Sequence, residues 1–430
     1  MAESVVLSAI FFHNQIYDMK NSVLLNICIV AYILACAGCG GRSAHDTAVD
    51  TSLASNIEID VENASPFLLS EVADSVWYLS LESKPESVFG SADKILFTEE
   101  MVVIVDRRVS AGVFIFAHDG SYLGNITNRG RGPEEYISLE DVTIDVDNNH
   151  IILYDAPNQA LHLFDFQGNY VKRHNVDVVF DFFEYLTEGM VICYNTYVVN
   201  PDFPAIRDAS VFTFSYIDHK DAIALLTFPD DIGLHHKTPL IFNNISGAGD
   251  GAYIYDYYTN TIYHYCVDGG LYVKWVLDFG KYNIPEAGWA SDDNRLVSDG
   301  ILSERYVGGL SSFQVTSDWI IGSVEYGRSP STFIYNSRDE EVFFTTSMIT
   351  NDLTPDFPNI ASFPIALMPP YHSDGAHIVS VYDPMLVVNI IESVKRESEE
   401  YGFTFELPVE LSNITMESNP VLQFVRLKSR

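Results

Sequence analysis

The chain has 430 residues, of which 47% are hydrophobic and 13% aromatic, enough apolar material for a large folded core. Its 59 acidic and 24 basic side chains give a formal net charge of −35. This charge excludes a nucleic-acid partner, because phosphate backbones are bound by clustered lysine and arginine.

The first element in chain order is a predicted export signal. Residues 1–18 lack the features of such a signal, whereas Met19 and Lys20 open a positively charged segment before the apolar run SVLLNICIVAYILACAGCGG. We therefore predict that 1–18 are a mis-assigned start and that 19–39 are a signal peptide. The apolar run is too short for a comfortable membrane span.

The end of this run, ILACAGCGG, resembles the lipobox of bacterial lipoproteins, in which a cysteine is acylated after cleavage. Cys36 is preceded by Ala35 and has Ile33 three positions before it, whereas Cys39 is preceded by Gly38. The pattern slightly favours Cys36 over Cys39 as the lipidated residue. A plain secretory signal is the alternative.

A tether rich in small and polar residues follows the signal. We predict that 40–64 are flexible and that 65–430 form one folded domain. Only Cys193 and Cys266 lie in that domain, and they form neither a disulfide framework nor a metal-binding spacing.

Internal repeats dominate the predicted domain. Each repeat is an alternating apolar strand that ends in Asp, a polar turn, a second alternating strand, a Gly turn and an aromatic-led strand. The three clearest copies are MVVIVDRRVSAGVFIFAHDGSYLGNI (101–126), HIILYDAPNQALHLFDFQGNYVKRH (150–174) and GAYIYDYYTNTIYHYCVDGGLYVKWV (251–276). With the strand DVTIDVDNN before the second copy, the unit becomes four antiparallel strands, which is a propeller blade.

Six such units are predicted, so the fold class is all-β, a six-bladed β-propeller of four-stranded antiparallel blades. The residues at the ends of the second strands are predicted to share one face: Asp106, Asp155, Asn195, Asp256, Glu325 and Asp383. The sixth unit is HIVSVYDPMLVVNIIESVKR, although 385–400, like 295–306, is also compatible with a short helix. The strands SVWYLSLES (75–83) and NPVLQFVRLK (419–428) are predicted to close the ring, paired with each other or within one blade.

At this point the chain resembles the six-bladed, NHL-like β-propeller lipoproteins that are abundant in gut Bacteroidetes. The resemblance rests on RGRGPEEY, YDAPNQALHLFDFQGNYVK, WYLSLES and NPVLQF, and covers roughly 65–430. It implies fold and compartment more firmly than activity. Other NHL propellers include binding platforms and a zinc-dependent lyase, but no set of histidines here matches that metal site.

The link NRGRGPEEYISLED (128–141) has two interpretations. In the structural one, Gly130 and Gly132 supply unusual backbone angles, Pro133 fixes the turn and an arginine clamps neighbouring blades. In the functional one, an arginine and the acidic residues contribute to a ligand site on the propeller face. The candidate binding residues are Arg129, Arg131, Glu134, Glu135, Tyr136, Asp155 and Asp256.

Other polar motifs have simpler explanations. DVDNN (145–149) resembles the start of a calcium loop but is better explained as a hairpin turn. His235 and His236 are adjacent and would point to opposite sides of a strand. His372 and His377 flank SDGA, which is a turn. We therefore predict no metal site, no catalytic residue and no cofactor.

The favoured function is a binding or scaffolding module for a glycan, a peptide or an envelope protein. The predicted location is the bacterial cell envelope, in the outer membrane or facing the periplasm, with membrane contact only through the N-terminal lipid. The alternative is an enzyme, a lyase or glycan hydrolase, with its site at the mouth of the propeller channel. Perturbed titratable groups in a closed pocket would favour the enzyme.

Overall fold

The computed structural model of the protein describes residues 49–196, 198–217, 222–228, 244–248, 251–285, 295–354, 365–366 and 369–429, within the unit Val49–Arg430. The predicted mis-assigned start, the predicted signal peptide and the candidate lipidated residues Cys36 and Cys39 lie outside the described residues, as do His235 and His236.

In the described part of the chain, six four-stranded antiparallel sheets form a six-bladed β-propeller, which confirms the predicted fold class. The strands, from the innermost to the outermost, are Lys94–Phe97, Met101–Asp106, Gly112–Ala117 and Tyr122–Ile126 in blade 1; Asp141–Asp145, His150–Asp155, Ala160–Asp165 and Tyr170–Asn175 in blade 2; Phe182–Thr187, Met190–Tyr194, Ala209–Ser215 and Ile223–Thr227 in blade 3; Ile245–Ala248, Gly251–Asp256, Thr261–Cys266 and Gly270–Asp278 in blade 4; Leu310–Thr316, Trp319–Tyr326, Ser329–Asn336 and Glu341–Thr345 in blade 5; and His372–Ser373, Ile378–Tyr382, Val421–Leu427 and Ala73–Ser80 in blade 6.

The core lies between the blades. Successive side chains of a strand point to opposite sides of the sheet, and each side of a blade faces a neighbour. Val103 therefore packs in the cluster shared with Val142 of blade 2, whereas Val102 packs with Val379 of blade 6. Because both sides are covered, every residue of the second strand Met101–Asp106 is buried.

The two ends of the folded part meet in blade 6. Ala73–Ser80 pairs antiparallel with Val421–Leu427, which confirms the prediction that these strands close the ring. Across this pair Trp77 stacks on Phe424 with ring centroids 3.9 Å apart. The closing strands are therefore held by both backbone hydrogen bonds and aromatic contact.

Alternating strand direction gives the propeller two different faces. The link face carries the connections between blades and the turns between second and third strands. The hairpin face carries the turns between first and second strands. These two names are used below.

Helices occupy the link face of blade 6. The helix predicted over 385–400 is confirmed as Pro384–Tyr401, begun by Asp383, whose carboxylate accepts the Met385 N–H at 2.8 Å. This stretch therefore does not supply the third strand of the sixth blade, which Val421–Leu427 provides instead. The reason is the helical spacing of its buried residues, Val387, Ile390, Ile391 and Val394.

The remaining helices and strands are short. They are the α-helices Leu69–Val72 and Arg295–Leu302, the 3₁₀ turns Ala156–Asn158, Gly280–Tyr282 and Val409–Leu411, and the strand pair Ile349–Thr350 with Ile365–Ala366. Among the helices that the structure describes, none has the length and apolar character needed to span a membrane.

The ordered fold begins earlier than the predicted boundary at residue 65. Within the predicted tether, Ser55–Glu58 forms a fifth strand of blade 4, parallel to Gly270–Asp278. Ile57, Ile59 and Val61 are buried, and this alternation of apolar residues explains why the segment adds to the sheet.

Ile57→Ala tests whether this added strand is part of the stable fold. Ile57 is 2% exposed, so its truncation should lower the free energy of unfolding by about 2–5 kcal/mol. Ile223→Ala is the matched control, since Ile223 is 53% exposed in an outer strand. Urea unfolding measures both variants, and equal stability of the two would contradict the assignment.

Candidate functional site

Buried aspartates on the link face join blade links to turns. Asp106 accepts backbone N–H groups from Gly90 in the preceding link, at 2.8 Å, and from Val109 in its own turn, at 2.9 Å. Asp155 likewise accepts the N–H of Ile137 at 2.9 Å. Both carboxylates are fully buried and saturated with donors, so they stabilise the architecture.

The other second-strand ends also lie on the link face but differ in environment. Asp256 accepts the Thr259 hydroxyl at 2.6 Å, and burial raises its pKa above the ordinary value. Glu325 is half-buried, and desolvation raises its pKa to about 7. Asn195 donates to the Val198 carbonyl oxygen at 3.1 Å.

The loop 128–141 is folded around Tyr136. This ring is completely buried, and its hydroxyl donates to the carbonyl oxygen of Ala111 at 2.6 Å and, at 3.2 Å, to that of Ile126. Burial raises the pKa of Tyr136 above its usual range, and the nearby Arg129 charge opposes this shift. Tyr136 therefore anchors the link to blade 1.

The glycines of this loop provide space rather than unusual backbone angles. Neither Gly130 nor Gly132 has a positive φ, which corrects that part of the structural interpretation. The Glu135 carboxylate folds back to accept the Gly132 N–H at 2.7 Å, and a Cβ on Gly130 would stand 1.9 Å from its Oε2 atom. A side chain at Gly130 would displace Glu135.

The loop's arginines do not clamp neighbouring blades. Nε of Arg129 donates to the Ile137 carbonyl oxygen at 3.0 Å, within the same loop, and Arg131 and Glu134 are exposed. Among the ion pairs of the described residues, none involves Arg129 or Arg131. Tyr136, Glu135 and Asp155 therefore stabilise the loop itself. Arg131 and Glu134 lie at the surface.

Arg107 is the arginine that joins three blades on the link face. It lies in the turn after Asp106, and its backbone N–H donates to Asp93 at 2.8 Å. Its Nη1 donates to the Glu140 carbonyl oxygen of blade 2 at 3.2 Å, and its guanidinium carbon lies 5.7 Å from the centroid of the Phe182 ring of blade 3. Arg107 thus lies across the link-face ends of these first strands.

The first strands bring a second set of polar side chains together around the axis. Nζ of Lys94 in blade 1 lies 3.2 Å from Asp141 Oδ2 of blade 2 and 2.7 Å from Glu184 Oε1 of blade 3. All three side chains are at least 86% buried, from exposed fractions of 7%, 0% and 14%. One ammonium is therefore shared by two carboxylates in a nearly dry setting.

The surrounding bonds hold this triad in place. Asp141 also accepts the Phe183 N–H at 2.9 Å, and Glu184 also accepts the Thr143 hydroxyl at 2.9 Å. Burial acts to lower the pKa of Lys94, but the two carboxylates overcome it and the pKa is raised. Burial raises the pKa of Glu184; Lys94 opposes this and Asp141 adds to it.

The opposite wall of the channel comes from blades 4, 5 and 6. The Ser246 hydroxyl donates to Oε1 of Gln314 at 3.1 Å, and Nε2 of Gln314 donates to the Tyr371 carbonyl oxygen at 3.2 Å. His372 is 5% exposed, and its Nε2 atom has no hydrogen-bond partner among the described residues. Burial, together with Lys94 and Arg107, lowers the pKa of His372 to about 3, so its imidazole is neutral.

These walls enclose a cavity of about 210 Å³ that contains Lys94, Glu184, Gln314 and His372 in its lining. A groove of about 670 Å³ lies next to it on the hairpin face. Phe97 and Val146 line both spaces, which places the groove directly beside the channel cavity.

The groove combines aromatic rings with acidic groups. Its lining consists of Phe97, Thr98, Glu99, Glu100, His118, Val146, Asn149, Phe166 and Asp374. These residues come from turns of blades 1, 2 and 6. Glu99 and Glu100 are exposed, and Val146 is 57% exposed.

Sequence reasoning missed the channel residues. A charged residue inside a short apolar strand, as in DKILF, EDVTID and FFEYLT, was the available signal. His372 was considered only for a metal, beside the SDGA turn, which the structure confirms at Asp374–His377. In the part of the chain that the structure describes, no three His, Cys, Asp or Glu side chains are grouped to hold a metal ion.

The sequence pattern of one family, the Domain of unknown function DUF4934, matches residues 54–426. The chain belongs to the DUF4934 family. This match includes both closing strands and every blade, and it begins near the added strand of blade 4. Among curated proteins, none matches this DUF4934 chain.

Two of the solved structures that resemble the chain come from Bacteroides species. A protein described as exported, from Bacteroides fragilis, is 15% identical, with a TM-score of 0.64 over 87% of this chain and 100% of that one. A DUF4221 family member from Bacteroides vulgatus is 12% identical, with a TM-score of 0.44 over 83% of this chain and 97% of that one. At 15% identity the first likeness supports the fold alone.

Tyr136→Phe tests the structural role of the 128–141 loop. It leaves two carbonyl oxygens without their hydroxyl donor and should lower the free energy of unfolding by about 1–3 kcal/mol. Tyr401→Phe, at a tyrosine that is 70% exposed, is the control. Arg131→Ala should change stability by less than about 0.5 kcal/mol. Parent-like urea unfolding of Tyr136→Phe would contradict the anchor role.

Lys94→Met tests the triad of the channel. Without the ammonium, Asp141 and Glu184 remain buried and uncompensated, so the free energy of unfolding should fall by about 3–5 kcal/mol. Combining Lys94→Met with Asp141→Asn and Glu184→Gln should recover most of the loss. Lys395→Met, at an exposed helical position, is the control. A stable single variant would show that the triad does not hold blades 1, 2 and 3 together.

Proposed function

We propose that this DUF4934 protein is an exported, non-catalytic binding module that receives a polar ligand on its hairpin face. The observation that carries the proposal is that the 670 Å³ groove lies beside the 210 Å³ channel cavity, with Phe97 and Val146 in both linings. Ligand sites commonly combine an apolar, concave surface with a few placed polar groups.

The polar groups at the inner end suit recognition. Lys94 is engaged by Asp141 and Glu184, so it is not poised as a free nucleophile or acid. Nε2 of the neutral His372 has no partner among the residues that the structure describes, and a ligand atom in the cavity would supply one. A buried polar group without a partner is costly, which favours occupancy of the cavity.

The link face suits this role less well. Arg107 lies across its central end, and the buried aspartates there are satisfied by backbone donors. The predicted site of Arg129, Arg131, Glu134, Glu135 and Tyr136 with Asp155 and Asp256 remains a hypothesis. Its exposed members, Arg131 and Glu134, are the ones that a ligand would reach.

One observation favours the alternative of an enzyme at the channel mouth. Glu325 on the link face has a pKa of about 7, within the range in which a carboxyl group serves as a general acid near neutral pH. The lyase or glycan hydrolase hypothesis would assign that role to Glu325. The binding proposal rests on the hairpin face and does not require this group.

Export and anchoring extend the proposal to the cell envelope. The signal-like segment at 19–39 and the likeness to an exported protein of Bacteroides fragilis support an extracytoplasmic location. We propose an NHL-like lipoprotein anchored through Cys36 or Cys39, with the propeller presented to a glycan, peptide or envelope protein.

Val146→Trp tests the position of the binding site. The larger ring should fill the junction of groove and channel and reduce ligand binding at least tenfold. Val171→Trp is the matched control, because Val171 is an exposed valine on the outer strand of the same blade. Peptide and glycan arrays probed with the labelled protein measure the effect. Equal retention of array signals by both variants would place the site elsewhere.

A further inference from the structure

We infer that the ligand is cationic: a peptide segment that presents a lysine side chain, whose ammonium enters the channel from the hairpin face. This inference rests on the proposed function, since it names the chemistry of the same groove and channel. It follows from the balance of charge, the size of the cavity and the unpartnered imidazole at its inner end.

The groove carries negative charge. Glu99, Glu100 and Asp374 line it, and its described lining contains no lysine or arginine. His118 and Asn149 complete the polar part of the lining. A groove with one sign of charge and low-dielectric walls concentrates ligands of the opposite sign.

The channel continues this charge imbalance inward. The buried triad contains two carboxylates and one ammonium, so it retains one negative charge when all three groups are ionised. Uncompensated buried charge is costly. Glu184 and Lys94 both line the cavity, so a ligand ammonium would be placed on the carboxylate side of this wall.

His372 supplies a neutral acceptor at the same place. A neutral imidazole has one donor and one acceptor nitrogen. Nε2 of His372 is the nitrogen without a protein partner, and His372 belongs to the cavity wall together with Gln314. An ammonium has three donors and no acceptor, so it matches Nε2 acting as the acceptor and the carboxylate oxygens.

The dimensions suit a single unbranched side chain. The cavity of about 210 Å³ is smaller than the roughly 300–1,000 Å³ of an ordinary ligand pocket, which favours a single side chain over a folded element. Lysine has a flexible stem that packs along apolar surface while its charge is bound. Phe97 and Phe166 in the groove provide that surface and a ring face for the cation.

The probes are a labelled Gly-Gly-Lys-Gly-Gly peptide with blocked termini and its twin with acetylated lysine. Acetylation removes the positive charge and keeps the stem. Fluorescence anisotropy at 0.15 M salt should show that the full-length protein binds the unmodified peptide at least tenfold more tightly. Equal binding of the two peptides, or binding of neither, would overturn the inference.

A matched pair of variants distinguishes binding by the groove carboxylates from attraction to the acidic protein surface in general. Glu99→Gln/Glu100→Gln should weaken binding of the unmodified peptide at least fivefold. Glu399→Gln/Glu400→Gln removes the same charge from an exposed adjacent pair on the link-face helix and should leave binding unchanged. Equal loss in both variants would mean attraction to the acidic surface as a whole, and the inference would fail.

The Val146→Trp variant distinguishes this inference from the proposed function. If Val146→Trp reduces array binding while acetylation has no effect on the lysine peptide, the hairpin-face site stands and the cationic ligand is wrong. If Val146→Trp leaves all binding intact, both fail. An arginine peptide that binds more tightly than the lysine peptide would also contradict the choice of lysine.

Discussion

The antiparallel pairing of Ala73–Ser80 with Val421–Leu427 closes the ring, and the remaining structure depends on that closure. A closed ring gives every blade two neighbours, so both sides of its inner strands are buried. The stretch MVVIV can therefore be apolar throughout, whereas an open sheet edge would expose alternate residues. Closure also forces six first strands toward one axis.

Because the six first strands converge on the axis, the fold and the candidate site are subject to the same constraint on polar side chains. Polar side chains that point to the axis leave bulk water and must find partners there. Lys94, Asp141 and Glu184 do so across three blades, and Ser246 with Gln314 does so on the opposite wall. The Nε2 atom of His372 is left over. The convergence of the first strands thus stabilises the channel and also leaves a place where a ligand could donate a hydrogen bond.

The two faces of the propeller differ in their chemistry. On the link face, buried aspartates and Arg107 hold blade links, turns and first strands together. The RGRGPEEY loop belongs to this system through the buried hydroxyl of Tyr136. On the hairpin face, the shorter turns leave a groove beside the channel.

Much of this fold is predictable from the sequence because blades repeat. Alternating apolar strands with a terminal Asp identify the units, and the same regularity locates the degenerate third blade around Asn195. The helix at Pro384–Tyr401 shows the limit of prediction from repeats. The strand HIVSVYD begins this unit like the others, but apolar residues at helical spacing follow it. The third strand of the blade begins almost forty residues later in the chain. Ser55–Glu58 was missed because four residues carry little periodic signal.

The site was harder to predict than the fold, for a physical reason. Lys94, Asp141 and Glu184 are far apart in the chain and become neighbours only through ring closure. A loop such as 128–141 is conspicuous because its glycines and charges are adjacent in sequence. In the structure these residues pack against one another, because the Glu135 carboxylate occupies the space that a side chain at Gly130 would need. The glycines and charges that lie close together in the 128–141 loop indicate a constrained backbone. The channel site, in contrast, is formed by residues that are distant in the sequence.

Amide hydrogen exchange with and without saturating Gly-Gly-Lys-Gly-Gly peptide tests the central claim, that the ligand occupies the hairpin-face groove and the channel. Exchange slows where a bound ligand restricts local opening. The account predicts slower exchange in 97–100, 146–149 and 372–377, with no change in the link-face segments 128–138 and 256–260. Slower exchange confined to those link-face segments would contradict it.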